Sequence, residues 1–308
     1  VNKLFSLQPY KNIIPKFIYY YTLSSEFQSQ FKEAMHGLIG GVSLSKIRDF
    51  SISVPPLAEQ QRIVAKLDAA FAEIDGAIES IERKEAEIDN LRASLLSASL
   101  SSNNVIWKTL KLDEVCEIQP PKKEVKNILE DDSVVSFMGM NLLGIDKMHA
   151  NPEEVRSLSS VYKGYTYFAE NDVLLAKITP CFENGKLGIA RGLKNGVGFG
   201  SSEFVVFRCK ENILPQFLYY FLNQKSFREE GKKNMSGAVG HKRVAKEFIA
   251  NYLISLPPLA EQKCIVAKLD AAFFEIENAK KPLSKSKDNY QALKSALLSQ
   301  ELRPSEAA

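Results

Sequence analysis

The sequence predicts an α/β (α+β) fold carried by long antiparallel coiled-coil helices and laid out as an internal repeat. Two observations predict it. Pro55–Asp75, PPLAEQQRIVAKLDAAFAEID, recurs as Pro257–Glu277, PPLAEQKCIVAKLDAAFFEIE, with 17 of 21 positions identical, which chance does not produce. Each copy runs on into heptads, while the stretch between them reads as short strands separated by turn signals.

A Pro pair opens each helix, tolerated in a first turn because its missing N–H would have no partner there. Glu59 and Glu261 follow, complementing the positive end of the helix dipole. Apolar residues then recur every seven positions: Leu67, Ile74, Ile81, Ile88 and Leu95 in the first copy, Leu269, Ile276, Leu283, Tyr290 and Leu297 in the second. The other seam position of the first copy is less regular: Ile63 or Val64, Ala70 or Phe71, Ala77 or Ile78, then Lys84, then Leu91. Five heptads with one clean seam argue for a coiled coil. An amphipathic helix on an ordinary core is the alternative, disfavoured by the run's length and by the charged face of Glu79, Glu82, Arg83, Lys84, Glu85 and Glu87. Two such helices can bury both seams by packing antiparallel, and one of about 40 residues would extend about 60 Å. Pro282, where the first copy has Ser80, predicts a kink or break near Lys281.

A chain of 308 residues implies two domains, or three pieces, and its 45% apolar and 25% charged content is ordinary for a soluble globular protein. No stretch approaches 18 apolar residues, so no membrane helix is expected, and VNKLFSLQPYKNIIPK lacks the marks of a secretory signal. The four cysteines are scattered without metal-ligand spacing, which reads as reduced thiols in a cytoplasmic protein. A net charge of only +3 means that any nucleic-acid surface must come from local clustering.

Residues 1–54 form a short globular piece. Ile14–Tyr21, IPKFIYYY, has a cousin in Leu214–Phe221, LPQFLYYF. After each come a polar helical segment, a Gly-rich loop (Gly37–Gly41, Ser236–Gly240) and a β-prone run (Phe50–Val54, Tyr252–Leu256) into the Pro pair. Carried back, the register pairs Val1 with Ser201, and residues 107–200 have no counterpart. The simplest expectation is a truncated first module; a genuinely small one is the alternative. A polar linker at 101–106 leads into the second module. Its expected strands are Val134–Phe137, Tyr165–Phe168, Val173–Ile178, Leu187–Ala190 and Glu203–Arg208, with turns at Asn171-Asp172, Asn184-Gly185, Asn195-Gly196, Gly198 and Gly200. A helical segment over Pro215–Lys233 follows, then the final helix Leu259–Leu302 and a frayed tail, ELRPSEAA.

Signals for catalysis are few. The Pro-Pro pairs QPPK, VPPL and LPPL do not fit the Asn/Asp-Pro-Pro-aromatic motif of an adenine methyltransferase, GVGFG lacks dinucleotide-loop spacing, and no phosphate loop is present. Glu183-Asn184-Gly185-Lys186 superficially resembles nuclease carboxylate–lysine motifs but reads as a hairpin turn. His36, His149 and His241 are dispersed, and neither a metal site nor a cofactor is expected. The aromatic sets Phe17, Tyr19, Tyr20, Tyr21 and Phe217, Tyr219, Tyr220, Phe221 read as core. Lys225, Arg228, Lys232 and Lys233, sharing a segment with Glu229 and Glu230, read as a mixed solvated face.

PPLAEQ and IVAKLD in both copies, DVLLAKITPCFENGK (Asp172–Lys186), GFGSSEFVVFR (Gly198–Arg208) and SGAVGHKRVAKEFIANYLISLPPL cover nearly the whole chain, and together they resemble the specificity (S) subunits of type I restriction–modification systems. The resemblance implies two target-recognition domains, each followed by a conserved helix, with the two helices forming an antiparallel coiled coil. Each domain would read one half of a bipartite sequence in double-stranded DNA. The coil would set the spacing and dock DNA methyltransferase (M) subunits, and a restriction/translocase (R) subunit would join for cleavage. The chain itself would do no chemistry. Here the pattern departs, since about two-thirds of the first recognition domain is lacking. The division expected is 1–54 as the C-terminal remnant of the first recognition domain, 55–102 as the first helix, 103–256 as the complete second domain, 257–303 as the second helix and 304–308 as tail.

The candidate DNA contacts are loops of the second module: Lys177 and Thr179 after an apolar strand, Asn184 and Lys186 in the next turn, Ser201 and Ser202 on a Gly-rich backbone, and the basic cluster His241, Lys242 and Arg243. Cations and backbone N–H groups neutralise phosphates, while Arg, Asn and Ser also reach base edges. From spacing alone Lys242 and Arg243 read equally as a solvated helix start; the resemblance favours DNA. The first copy has Gly41-Val42-Ser43 in their place, which suits either a different half-site or a half that binds nothing. Two other readings stand beside this one: a coiled-coil protein–protein scaffold, and a half-subunit that dimerises to read a palindrome.

Overall fold

The computed structural model describes residues 6–35, 42–101, 107–238 and 240–303. The loop Gly37–Gly41, His36, most of the linker and the tail from Pro304 lie outside the described residues. The chain divides into two compact units, residues 1–88 with 277–308, and residues 89–276.

The first unit is helical. It holds α1 (Pro15–Leu23), α2 (Ser25–Ala34) and α3 (Leu44–Arg48), with the first part of α4 (Leu57–Leu100) and the last part of α10 (Leu259–Glu301). Pro15 occupies the first turn of α1, and the Ser24 and Ser43 hydroxyls accept backbone N–H groups at the starts of α2 and α3. Phe17 and Tyr20 of α1 pack with Ile63, Leu67, Phe71 and Ile74 of α4 and with Leu298 of α10. Lys294 pairs with Asp75 and Lys287 with Glu82, each at 2.7 Å, and Lys66 pairs with Glu301 at 2.6 Å. Numbers rise along one helix as they fall along the other, so these helices pack antiparallel.

Two helix expectations and one strand expectation change. Lys84 and Leu91 are exposed, and the second seam instead runs Phe71, Ile78, Glu85, Arg92, all buried or half-buried. Phe71 and Ile78, the larger apolar member of each ambiguous pair, set this register, and the heptad carries it on to Arg92. α10 runs without a break through Pro282. Pro282 lies on the exposed face, where water can satisfy the carbonyl it frees, and the ion pair of Lys287 holds the next turn in place. Phe50–Val54 forms no strand. Its counterpart β13 (Leu253–Leu256) pairs antiparallel with β1 (Lys108–Lys111), a segment that the repeat register does not supply to the first copy.

The second unit is α+β. One sheet runs β2 (Cys116–Ile118), β10 (Phe204–Cys209), β7 (Val173–Ala176), β8 (Leu187–Ala190), β4 (His149–Ala150), with only β4 and β8 parallel. The other runs β5 (Glu154–Ser157), β3 (Val134–Met138), β9 (Val197–Gly200), β6 (Thr166–Ala169), with only β3 and β9 parallel. Short helices α5 (Leu112–Val115) and α6 (Leu158–Val161) punctuate the chain. β7, β8 and β9 are buried throughout, so they read as continuous apolar runs. Leu174, Ala176, Phe204 and Val206 share a core with Phe168 and Met138. The GFG of β9 is explained by close approach: a side chain at Gly198 would enter the Phe168 ring, and one at Gly200 would meet the Met138 carbonyl.

The expected helix over Pro215–Lys233 is two helices, α7 (Pro215–Leu222) and α8 (Lys225–Lys233). Asn223 ends the first, with its side chain bonded to Asp146 and Arg228 rather than facing water, and Gln224 is extended. The aromatic residues expected as core are buried, except Tyr19, which is exposed. α9 (Lys246–Asn251) precedes β13, and β11 (Met235–Ser236) pairs with β12 (Arg243–Val244).

Candidate nucleic-acid interface

Each module is fastened to its arm helix by one buried glutamine. Gln60 accepts the Ile14 N–H at 2.9 Å and donates to the carbonyls of Asn12 and Pro55 at 3.2 and 2.8 Å. Gln262 accepts the Leu214 N–H and donates to the carbonyls of Asn212 and Pro257, all at 2.9 Å. These are the glutamines of the two PPLAEQ motifs. Tyr20 then bonds Asp68 and Tyr220 bonds Asp270, and each tyrosine meets an arm phenylalanine edge-on, Phe71 or Phe273. Burial and the neighbouring carboxylate push both tyrosine hydroxyls above their ordinary range, so each donates.

The candidate DNA contacts fall into two groups. In the first, the segment after β7 is stitched to β12 and to the turn before β10. Thr179 N–H donates to the Lys242 carbonyl, Val244 N–H to the Lys177 carbonyl, and Lys177 N–H to the Glu203 carbonyl, at 2.9, 3.0 and 2.9 Å. The Lys177 ammonium donates to the Ser202 carbonyl at 3.0 Å. Lys177, Thr179, Ser202, Lys242 and Arg243 thus share one corner, with His241 exposed beside Lys242. Ser201 turns inward, its hydroxyl accepting the Glu203 N–H at 3.2 Å.

Glu203, inside the GFGSSEF motif, is the residue that pattern reading missed. Its carboxylate takes Arg243 in a forked pair, at 2.9 Å from Nε and 2.7 Å from Nη2. Arg243 holds that carboxyl below its ordinary range, and Glu203 in turn raises the guanidinium. The corner therefore carries the cations Lys177, Lys242 and Arg243 around the Glu203 carboxylate, which pre-orients Arg243, while a second carboxylate, Glu183, accepts the Thr179 hydroxyl at 3.0 Å.

The second group is the turn into β8. Asn184 is exposed, and Gly185, at φ +76°, makes the left-handed turn that glycine allows. The Lys186 ammonium, half-buried, donates to the Met140 carbonyl at 2.8 Å rather than standing free. Phe182 packs on Phe227 and over Gly231, fastening this loop to α8. Arg228, expected on a solvated face, turns inward and donates to the Asn223 carbonyl and side chain at 3.0 and 2.8 Å.

Of the ten seam residues, Leu67, Ile74, Ile81, Leu269 and Ile276 are buried, while Ile88, Leu95, Leu283, Tyr290 and Leu297 are half-buried. Among the described residues no group of His, Cys, Asp and Glu has the arrangement of a metal site, and no helix is long and apolar enough to cross a membrane.

The type I restriction modification DNA specificity domain matches residues 1–89 and 104–284. The EcoEI specificity subunit of Escherichia coli is 38% identical to this chain over 194 residues, 62% of this chain and 32% of that protein. The EcoKI specificity subunit of Escherichia coli strain K12 is 21% identical, across 96% of this chain and 67% of that protein. The chain spans about a third of the length of the EcoEI relative. A structure solved in work on complex assembly and conformational transition of the type I R-M system superposes with a TM-score of 0.69 at 20% identity, covering 95% of this chain and 72% of that one, a likeness of fold.

Proposed function

The chain belongs to the type I restriction modification DNA specificity family, and from that premise we propose that it reads one half of a bipartite site in double-stranded DNA. Residues 103–256 are the recognition domain in this reading. The helices 55–102 and 257–303 are the dock for DNA methyltransferase subunits, with a restriction/translocase subunit joining the assembly in the cytoplasm. The chain supplies recognition and spacing, and the reacting groups belong to its partners.

The observation that carries the reading is the corner of Lys177, Lys242 and Arg243 around Glu203, set at loop ends of a rigid two-sheet scaffold. Such a site neutralises phosphates and leaves Arg243 and Ser202 for base edges. The exposed turn at Asn184, wedged in place by Phe182, supports a second contact on the same module.

The test is selection from a pool of random duplexes by the chain with its methyltransferase partner. An enriched asymmetric motif, with affinity falling steeply as salt rises, is expected. No enrichment would favour the scaffold reading, and a two-fold symmetric motif a dimer of this chain.

A further inference from the structure

Arg92 stands where a coiled coil ordinarily places an apolar side chain. It continues the Phe71, Ile78, Glu85 seam and is only 9% exposed. A guanidinium costs stability at such a position unless it is well partnered. Its contacts reach both the partner helix and the module: it lies over the Phe273 ring of α10, 4.4 Å from the centroid, and Nη2 is 3.1 Å from Asp146 Oδ1.

Asp146 reaches the turn at Asn184–Lys186 from two sides. Its neighbour Ile145 bridges to Lys186, and the Leu187 N–H donates to the Gly144 carbonyl at 3.2 Å. On the other side Asp146 Oδ1 accepts from Asn223 Nδ2 at 3.0 Å, and Asn223 accepts from Arg228 at 2.8 Å. The Arg228 guanidinium lies against Gly185, where an added Cβ would sit 2.7 Å from Nη1. Every residue on both routes belongs to the second unit. The repeat mate of Arg92 is Lys294, which lies over Phe71 at 4.6 Å but bonds Asp75 of the other helix. The cation over a ring is common to both arms, whereas Arg92 extends it into the module.

We propose that Arg92 is a positioning residue for DNA reading: through Asp146 it fixes the turn Asn184–Lys186 on the arm helix. This rests on the reading that the turn faces the duplex. Arg92→Met keeps an apolar group of similar length in the seam while removing the ion pair to Asp146 and the cation over Phe273. Hydrogen-exchange mass spectrometry on the full chain should show amides 184–187 exchanging about tenfold faster, with β7 and β10 unchanged; Arg92→Lys should restore part of the protection. In the duplex selection, the Met variant should enrich a motif with weakened preference at one or more positions. Unchanged exchange at 184–187, or an unchanged motif, overturns the proposal. If Arg92→Met does not fold, Asp146→Ala removes the Oδ1 that Arg92 and Asn223 share and is judged by the same two readouts. A wild-type chain that enriches no motif overturns DNA reading itself, while the exchange result still decides whether Arg92 holds the turn.

Discussion

Gln60 and Gln262 make the same three hydrogen bonds in the two repeats, each to one N–H and one carbonyl of the module it fastens and to the carbonyl of the proline that opens its own arm. Replacing either by leucine strands those groups in a buried place. Gln262→Leu should lower unfolding stability by at least about 2 kcal/mol, read from urea denaturation. A loss under a few tenths would mean that water reaches these groups and that the clamp is not structural.

Pro282 interrupts the hydrogen bonding on the exposed face of a helix that is otherwise continuous. Pro282→Ser installs the residue that the first copy carries at Ser80. The expected result is a gain of about 1–3 kcal/mol in stability. Calorimetry showing no gain would mean that the turn before it is already reorganised.

Ile276 is buried in the arm seam of the second unit. Ile276→Glu should cost more than about 3 kcal/mol, because it buries an unpaired carboxylate, and should abolish co-purification with a methyltransferase subunit. Retained complex with an intact fold would place the partner interface elsewhere.

Arg243 and Glu203 make opposite predictions for DNA. Arg243→Ala should weaken binding and lower the salt slope by about one, and Glu203→Gln should strengthen it, in fluorescence anisotropy across several salt concentrations. Equal affinities for both variants and wild type would remove this corner from the interface.

The same pair sets an acid limb. Arg243 holds the Glu203 carboxyl below its ordinary 4.5, so the folded protein binds that proton less readily than the unfolded chain. The stabilisation is full above the unfolded value and is lost as pH falls through the folded one. Below about pH 4.5 wild type should therefore lose more stability than Glu203→Gln. Parallel acid-denaturation curves would show that the ion pair adds nothing.

Much of the fold was legible because the repeat and the alternating apolar runs are local signals. The strand at Leu187–Ala190 and the glycine turns at Gly185 and Gly196 need only the chemistry of adjacent residues. Misreadings fell where long-range partners decide. Phe50–Val54 has strand propensity but pairs with no strand among the described residues, and Arg92 took a seam position because Asp146 and Phe273 meet it there. Glu203 and Gln262 lay in plain view inside quoted motifs. Their roles depend on Arg243, 40 residues away, and Leu214, 48 residues away, which no spacing rule connects. The inward turn of Arg228 was missed for the same reason, since Asn223 and Gly185 together receive it.

The most direct test of DNA reading is a genome-wide map of methylated bases in cells expressing the chain with its methyltransferase partner, compared with cells carrying Arg243→Ala. The account predicts methylation at one asymmetric motif in the first map, and a relaxed or lost motif in the second. Methylation with no shared motif, or the same motif at the same level in both maps, would contradict it.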